Sequence, residues 1–114
     1  MKLVNEKISL AELKIMSEKM FGGLVKAVVD IEKEIMVVDA AMHADEEFML
    51  LEEGSQQEHL WGINLYYEQF GNEDWIEFDS MINIRPVCGN RSRGVDDSKI
   101  REKIIKVVNA LVVK

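Results

Sequence analysis

The chain has 114 residues, 47% hydrophobic and 31% charged, which predicts one compact domain over residues 1–114 rather than a disordered or rod-like chain. Its 21 acidic and 14 basic residues give a net charge of −7, which disfavours binding to nucleic acid or to an anionic membrane surface. One cysteine excludes an internal disulfide, and no apolar run is long enough to cross a bilayer, so we expect a cytoplasmic protein.

The first half of the chain predicts a helix, two strands and a second helix. Ser9 and Glu12 have the spacing of a capping box, so the first helix begins beside them. Residues 24–31 alternate apolar and polar side chains, and residues 35–38 are all apolar. The short polar break between these segments predicts an antiparallel hairpin. The second helix is expected to begin at Asp45, where acidic residues favour a helix N-terminus.

The second half predicts two more strands and a third helix. Residues 60–67 are rich in the aromatic and branched side chains that pack well in sheets. Residues 75–84 alternate more clearly than any other segment and predict a fourth strand that Pro86 ends. The last helix follows residues 96–98, with apolar side chains at helical spacing. The prediction is therefore an α+β fold of about four mostly antiparallel strands, with three helices packed on one face of the sheet.

Acidic side chains are concentrated in the middle of the chain. Residues 39–58, the acidic stretch, contain seven Asp or Glu and no Lys or Arg. Within it, His43 and Asp45 stand at the predicted junction between strand and helix. Imidazole and carboxylate groups bind divalent metals and also transfer protons, so this pair is a candidate metal or acid–base site. The alternative is that the acids complement the helix dipole and that His43 is a solvated or helix-capping residue.

A second candidate site is formed by residues 85–94, called the arginine loop, which carry three arginines and two glycines. Planar guanidinium groups near a helix N-terminus suit a phosphate or carboxylate. We predict that Arg85, Asn90, Arg91 and Ser92 bind a small anionic ligand or an acidic protein segment. Two alternatives are that the arginines pair with the acidic stretch, or that the loop is solvated and unpaired.

The third predicted strand contributes one more candidate, Asn64. It alternates on the same side of the strand as Gly62 and Tyr66. A glycine within a strand lets another backbone or a ligand approach closely. We therefore include Asn64 among the ligand-binding candidates.

Several short motifs of the chain recur in order in one known family. They are His43-Ala44-Asp45, Gly54-Ser55, Leu60-Trp61-Gly62-Ile63-Asn64, Ile82-Asn83-Ile84-Arg85-Pro86, Asn90-Arg91-Ser92 and Ile100-Arg101. With these motifs the chain resembles the small prokaryotic proteins of domain-of-unknown-function family 5674. The resemblance implies a small cytosolic prokaryotic protein, and the family supplies no established activity to carry over.

These observations lead to three functional hypotheses. The first is a non-enzymatic binding or regulatory module whose arginine loop holds an anion or an acidic partner, without a required cofactor. The second is an acid–base or metal-assisted enzyme, with His43 and Asp45 binding a divalent metal or moving protons while Arg85 and Arg91 stabilise negative charge. The third is a homo-oligomer that assembles through a sheet edge or through an aromatic patch around the third and fourth predicted strands, formed by Trp61, Tyr66, Tyr67 and Trp75.

Overall fold

The computed structural model describes residues 1–114, which form three α-helices, seven strands and several short 3₁₀ turns. Two of these turns are used below, Met81–Asn83 and Pro86–Cys88. In chain order the strands and helices are β1 (Lys2–Val4), β2 (Ile8–Ser9), α1 (Leu10–Met20), β3 (Val25–Asp30), β4 (Ile35–Val38), α2 (His43–Glu52), β5 (Leu60–Leu65), β6 (Ile76–Glu77), α3 (Ser98–Leu111) and β7 (Val112–Val113). No helix is both long and apolar enough to span a membrane.

Local signals set most of the element ends. The Oγ of Ser9 accepts a hydrogen bond from the backbone N–H of Glu12 at 3.1 Å, as expected for the N-cap of α1. After α1, Gly22 has a φ of +85°, a left-handed conformation that glycine adopts without strain. Helix α2 begins at His43, two residues before the predicted start at Asp45. The earlier start brings the histidine itself into the first helical turn.

The strands form a five-stranded sheet in the order β1-β4-β3-β5-β6, and every pair of neighbours is antiparallel. The predicted hairpin is present as β3 and β4. Strands β2 and β7 form a separate parallel pair that joins the two ends of the chain. The α+β class is confirmed, whereas β1, β2 and β7 are additional strands, because two or three residues are too few to establish a period of two.

Helices cover both faces of the sheet, not one face as predicted. On one face, residues such as Ala27 and Ile63 belong to a large core that also includes side chains of α1 and α3. On the other face, Val28 packs in a smaller core with Leu50 of α2. The prediction was wrong because Val28 lies on the side of β3 that also carries Lys26 and Asp30. A central strand buried on both faces needs a helix on each.

The predicted fourth strand is largely absent, although its alternation is clear. Only β6 pairs with β5, and Met81–Asn83 forms a 3₁₀ turn. Asn83 is fully buried, its Oδ1 accepts from the N–H of Gly62 at 2.8 Å, and its Nδ2 donates to the carbonyl of Gly62 at 3.0 Å. One side chain thus makes the two hydrogen bonds that a paired strand residue would make.

Candidate functional site

The sheet face that carries α2 also contains a polar cavity of about 440 Å³, called the His43 cavity. Its wall comes from the start of α2, from β3, β5 and β6, and from the segment 79–82 together with Arg93. The polar side chains with a titratable or amide group are Lys26, His43, Asn64, Tyr66, Glu77, Asp79 and Arg93. Two candidates from the sequence, His43 and Asn64, therefore line one cavity.

Strand register explains why three of these groups meet. Lys26 on β3 lies opposite Asn64 on β5, and Asn64 lies opposite Glu77 on β6. Residues that are directly opposite in neighbouring strands point to the same face of a sheet. The row of polar side chains ends next to the first turn of α2, where His43 stands.

His43 is held in a defined tautomer. The residue is 8% exposed, and Nε2 of its ring lies 2.8 Å from the carbonyl oxygen of Ile63. A carbonyl can only accept, so Nε2 carries the proton and Nδ1 is an acceptor in the neutral ring. Burial lowers the pKa of His43 below its usual value, although the hydrogen bond to Ile63 acts in the opposite direction. We therefore expect a neutral imidazole at pH 7.

An NMR titration tests this state of His43. The Cε1 proton of His43 should titrate with a midpoint below pH 6.5, the ordinary value of the imidazole, because burial disfavours the charged ring. The variant His43→Gln assigns the resonance against that of His59. A midpoint at or above pH 6.5 would contradict a buried imidazole that is neutral at pH 7.

Asn64 is buried, and its amide is oriented by two acceptors. Its Nδ2 donates to Oε1 of Glu77 at 2.8 Å and to the carbonyl of Asp79 at 3.4 Å. The hydroxyl of Tyr66 donates to the same Glu77 oxygen at 3.0 Å. Because both neighbours of Nδ2 can only accept, the orientation of the amide is fixed. Its Oδ1 is left without a hydrogen-bond partner in the protein.

The cavity also contains two cations with unused donors. Arg93 donates from Nε to Oδ1 of Asp79 at 2.6 Å, and its terminal amino groups make no hydrogen bond with the protein. The ammonium of Lys26 lies 5.2 Å from the ring centre of Phe21 and forms no salt bridge. Both cations lower the pKa of His43, and Asp79 raises it. Positive charge is therefore available next to a neutral imidazole.

A neighbouring cavity of about 450 Å³ shares Tyr66 and Glu77 with the His43 cavity. Its other acidic residues are Glu73 and Asp74, and it contains no Lys, Arg or His. Of these two cavities, the His43 cavity is the one that combines an imidazole, an amide and cations.

Most of the arginine loop is used to hold the fold together. The guanidinium of Arg85 donates to the carbonyls of Gln57 and Leu60 and lies 4.4 Å from the ring centre of Trp61. Burial lowers the pKa of Arg85. Asn90 is buried, and its Nδ2 lies within hydrogen-bond distance of three backbone carbonyls of the same region. Arg85 and Asn90 do not line the His43 cavity.

The other two loop candidates lie on the surface. Ser92 donates from Oγ to Oδ1 of Asp96 at 2.6 Å, and the backbone N–H of Arg91 donates to the same carboxylate at 3.2 Å. The hydrogen bond from Ser92 is the main reason that the pKa of Asp96 is lowered. No arginine of the loop forms a salt bridge with the acidic stretch. Of the three arginines, Arg93 alone lines the His43 cavity.

The structure does not bring the two proposed metal ligands together in one cavity. His43 is buried and lines the cavity, whereas Asp45 is exposed in the first turn of α2 and does not line it. No group of three or more His, Cys, Asp or Glu side chains is arranged to hold a metal ion. Metal binding by His43 and Asp45 stays a prediction.

Five titratable residues of the site were not selected from the sequence, namely Lys26, Tyr66, Glu77, Asp79 and Arg93. Lys26 was assigned only to the polar side of its strand, and Arg93 was only counted among the loop arginines. Asp79 was assigned to the fourth strand, of which β6 alone forms, and Asp79 lies beyond the end of β6. The alternation of β3 could have indicated Lys26, because the polar side of a strand covered by a helix must open onto a cavity or solvent.

Comparison with known proteins adds a family to this geometry. Residues 2–111 match the family model described as "Protein of unknown function (DUF5674)". The chain belongs to this family. No curated protein and no solved structure matches it. The family match covers every element that lines the cavity of this DUF5674 chain, so the cavity lies wholly within the family domain.

Proposed function

We propose that the chain is a binding module that holds a small anionic molecule in the His43 cavity. The observation that carries this proposal is the meeting of His43, Lys26 and Arg93 in one cavity, although they come from three separate parts of the chain. The volume of about 440 Å³ falls within the usual range of small-molecule sites. The proposal gives Arg93 the anion-binding role that the sequence predicted for Arg85, Asn90, Arg91 and Ser92.

The formal charges of Lys26, Arg93, Glu77 and Asp79 cancel, so it is the free donors of the cavity that favour a carboxylate or a phosphate. Asp79 is paired with Arg93, and Glu77 accepts from Asn64 and Tyr66. The ammonium of Lys26 and the terminal amino groups of Arg93 remain as donors. Charge-assisted hydrogen bonds to such donors are about twice as strong as neutral ones.

The other side chains of the cavity wall indicate which groups the ligand carries besides its anionic group. The neutral imidazole of His43 offers an acceptor at Nδ1, which fits a hydroxyl or amino group of the ligand. Leu24, Met42 and Met81 add apolar surface to the wall. We infer a ligand class of small hydroxy or amino carboxylates and phosphate monoesters, with a short apolar part.

Ligand titration with matched variants tests this proposal. The probes are inorganic phosphate, glycerol 3-phosphate, lactate, 2-hydroxyisovalerate and serine, followed by thermal shift and by the His43 Cε1 resonance. At least one probe should raise the melting temperature and move the resonance, because binding to the native state stabilises it. Arg93→Gln should weaken this binding about 10-fold or more, since a hydrogen bond to a charged group is lost.

Arg91→Gln is the matched control, because it removes the same charge from the same loop outside the cavity. It should leave the affinity within about twofold of wild type, as expected for a distant screened charge. An equal loss of affinity in Arg93→Gln and Arg91→Gln would indicate that the arginine loop as a whole, and not the His43 cavity, binds the ligand. A panel in which no probe shifts either signal would refute the cavity as an anion site.

A further inference from the structure

Helix α2 carries an apolar surface that faces solvent. His43, Glu46 and Leu50 form its buried side, so Phe48 lies on the opposite side of the helix. Phe48 is 61% exposed, and Leu51 is 38% exposed. An aromatic residue at the outermost position of a surface helix contributes nothing to the core beneath it.

The apolar surface continues beyond the helix. Ala44 lies one turn before Phe48, and it lines the mouth of the His43 cavity together with Met42 and Met81. Met42 is 59% exposed and Met81 is 64% exposed. We call this surface, formed by Met42, Ala44, Phe48, Leu51 and Met81, the α2 stripe. Exposed methionines are typical of surfaces that bind apolar partners, because their side chains adapt in shape.

Acidic residues border the α2 stripe without forming salt bridges, although Glu47 accepts a hydrogen bond from Nε2 of Gln57 at 3.5 Å and interacts with the charge of Arg85. Asp45 and Glu52 flank Phe48 on one side of the helix, and Glu47 lies on the other. The chain has two salt bridges, and neither includes a residue of α2. The acidic stretch contains no Lys or Arg that could neutralise these carboxylates locally. At the Phe48 end, away from Lys26 and Arg93 of the His43 cavity, the stripe is thus apolar surface bordered by the unpaired carboxylates of Asp45 and Glu52.

We propose that the α2 stripe docks a basic amphipathic helix of a partner protein. The apolar face of such a helix would cover Phe48 and Leu51, and its Lys or Arg side chains would meet Asp45, Glu47 and Glu52. Opposite charges around an apolar contact fix orientation and speed association. The two anchors of this interaction, Phe48 and Leu51, lie outside the His43 cavity, so docking does not require a ligand there.

A pair of model peptides tests the docking surface on the intact chain. One is a 14-residue peptide of leucine and lysine in amphipathic helical order, a length of about two heptads, and the other has the same residues in an order without a helical face. In fluorescence anisotropy the amphipathic peptide should bind about tenfold or more tightly than the shuffled one. Phe48→Ser should weaken its binding by about tenfold or more, because an aromatic anchor is lost.

Ile15→Ser is the control variant, since Ile15 is 54% exposed on α1, which packs on the other face of the sheet. Ile15→Ser should leave peptide binding unchanged. The double variant Asp45→Asn, Glu52→Gln should bind the peptide more weakly, and its binding should depend less on salt concentration. Equal effects of Phe48→Ser and Ile15→Ser, or equal binding of the two peptides, would overturn the proposal. In sedimentation experiments, a dimer that dissociates in Phe48→Ser would identify a second copy as the occupant and would also overturn it.

Discussion

Replacing Glu46 with glutamine should change how the stability of the protein depends on pH. Glu46 is fully buried on the sheet side of α2, and neither carboxyl oxygen makes a hydrogen bond of normal geometry. Burial raises the pKa of Glu46 from 4.5 to about 10, against the opposing effects of the backbone N–H of Ala40 and the charge of Lys26, and Asp39 adds a smaller increase. The carboxyl group is therefore neutral in the folded protein at pH 7.

The sign of the effect follows from proton uptake on folding. Above pH 4.5 the unfolded chain has released the proton of Glu46, whereas the folded protein keeps it up to about pH 10. The stabilising contribution is fully present below pH 4.5 and is lost as the pH rises, at about 1.4 kcal/mol per unit. The free energy of unfolding of Glu46→Gln, relative to that of wild type, should therefore rise by about 3 kcal/mol between pH 4.5 and pH 7.

Urea denaturation at a series of pH values measures this difference. The comparison across pH cancels any constant difference in packing between the carboxyl group and the amide. Glu52→Gln, at an exposed position of the same helix, controls for the removal of a charge from α2. Parallel pH profiles for wild type and Glu46→Gln would show that Glu46 is ionised in the folded protein.

Gly62→Ala should destabilise the protein by about 2–3 kcal/mol, because the sheet and the covering loop are in direct contact at this position. A Cβ atom at residue 62 would stand 2.5 Å from Cβ of Ser80 and 2.6 Å from its Oγ. Both residues are buried, so the clash cannot be relieved by turning a side chain into solvent. The free energy of unfolding from urea denaturation measures the loss.

A double-mutant cycle identifies the contact that causes the loss. Ser80→Gly removes both clashing atoms, so Gly62→Ala with Ser80→Gly should be more stable than the sum of the single effects by about 1–3 kcal/mol. Gly23→Ala is the matched control, because a Cβ at that residue meets no atom within 4 Å. Additive effects at residues 62 and 80 would mean that the destabilisation arises elsewhere.

The sequence was sufficient where a pattern is local and regular. The cap at Ser9 and the hairpin of β3 and β4 depend on neighbouring residues, and both were predicted. Residues 75–84 show the opposite case, since their alternation is as regular as that of a strand. Asn83 ends strand pairing there, because its side chain bonds the backbone of Gly62, which is 21 residues away. The residues next to Asn83 in the sequence give no indication of that contact.

The candidate site was also predictable only in part, where residue type and position in the chain were sufficient. His43 and Asn64 were selected by residue type and position, and they share a cavity. The arginine loop was selected by composition, but its orientation depends on contacts that composition does not specify. Stacking of Arg85 on Trp61 and burial of Asn90 fix the loop, so that Arg93 lines the cavity and Arg91 does not.

The outer edge of β5 has a consequence for behaviour at high concentration. The carbonyl of Leu60 is bound by Arg85, both backbone groups of Gly62 are bound by Asn83, and Asn64 pairs with β6. A fibril grows when unpaired backbone groups of one molecule act as a template for the next. Side chains occupy those groups here, so this long apolar strand cannot seed fibrillar aggregation while the loop stays folded over it. The same side chains would have to detach before any such growth begins.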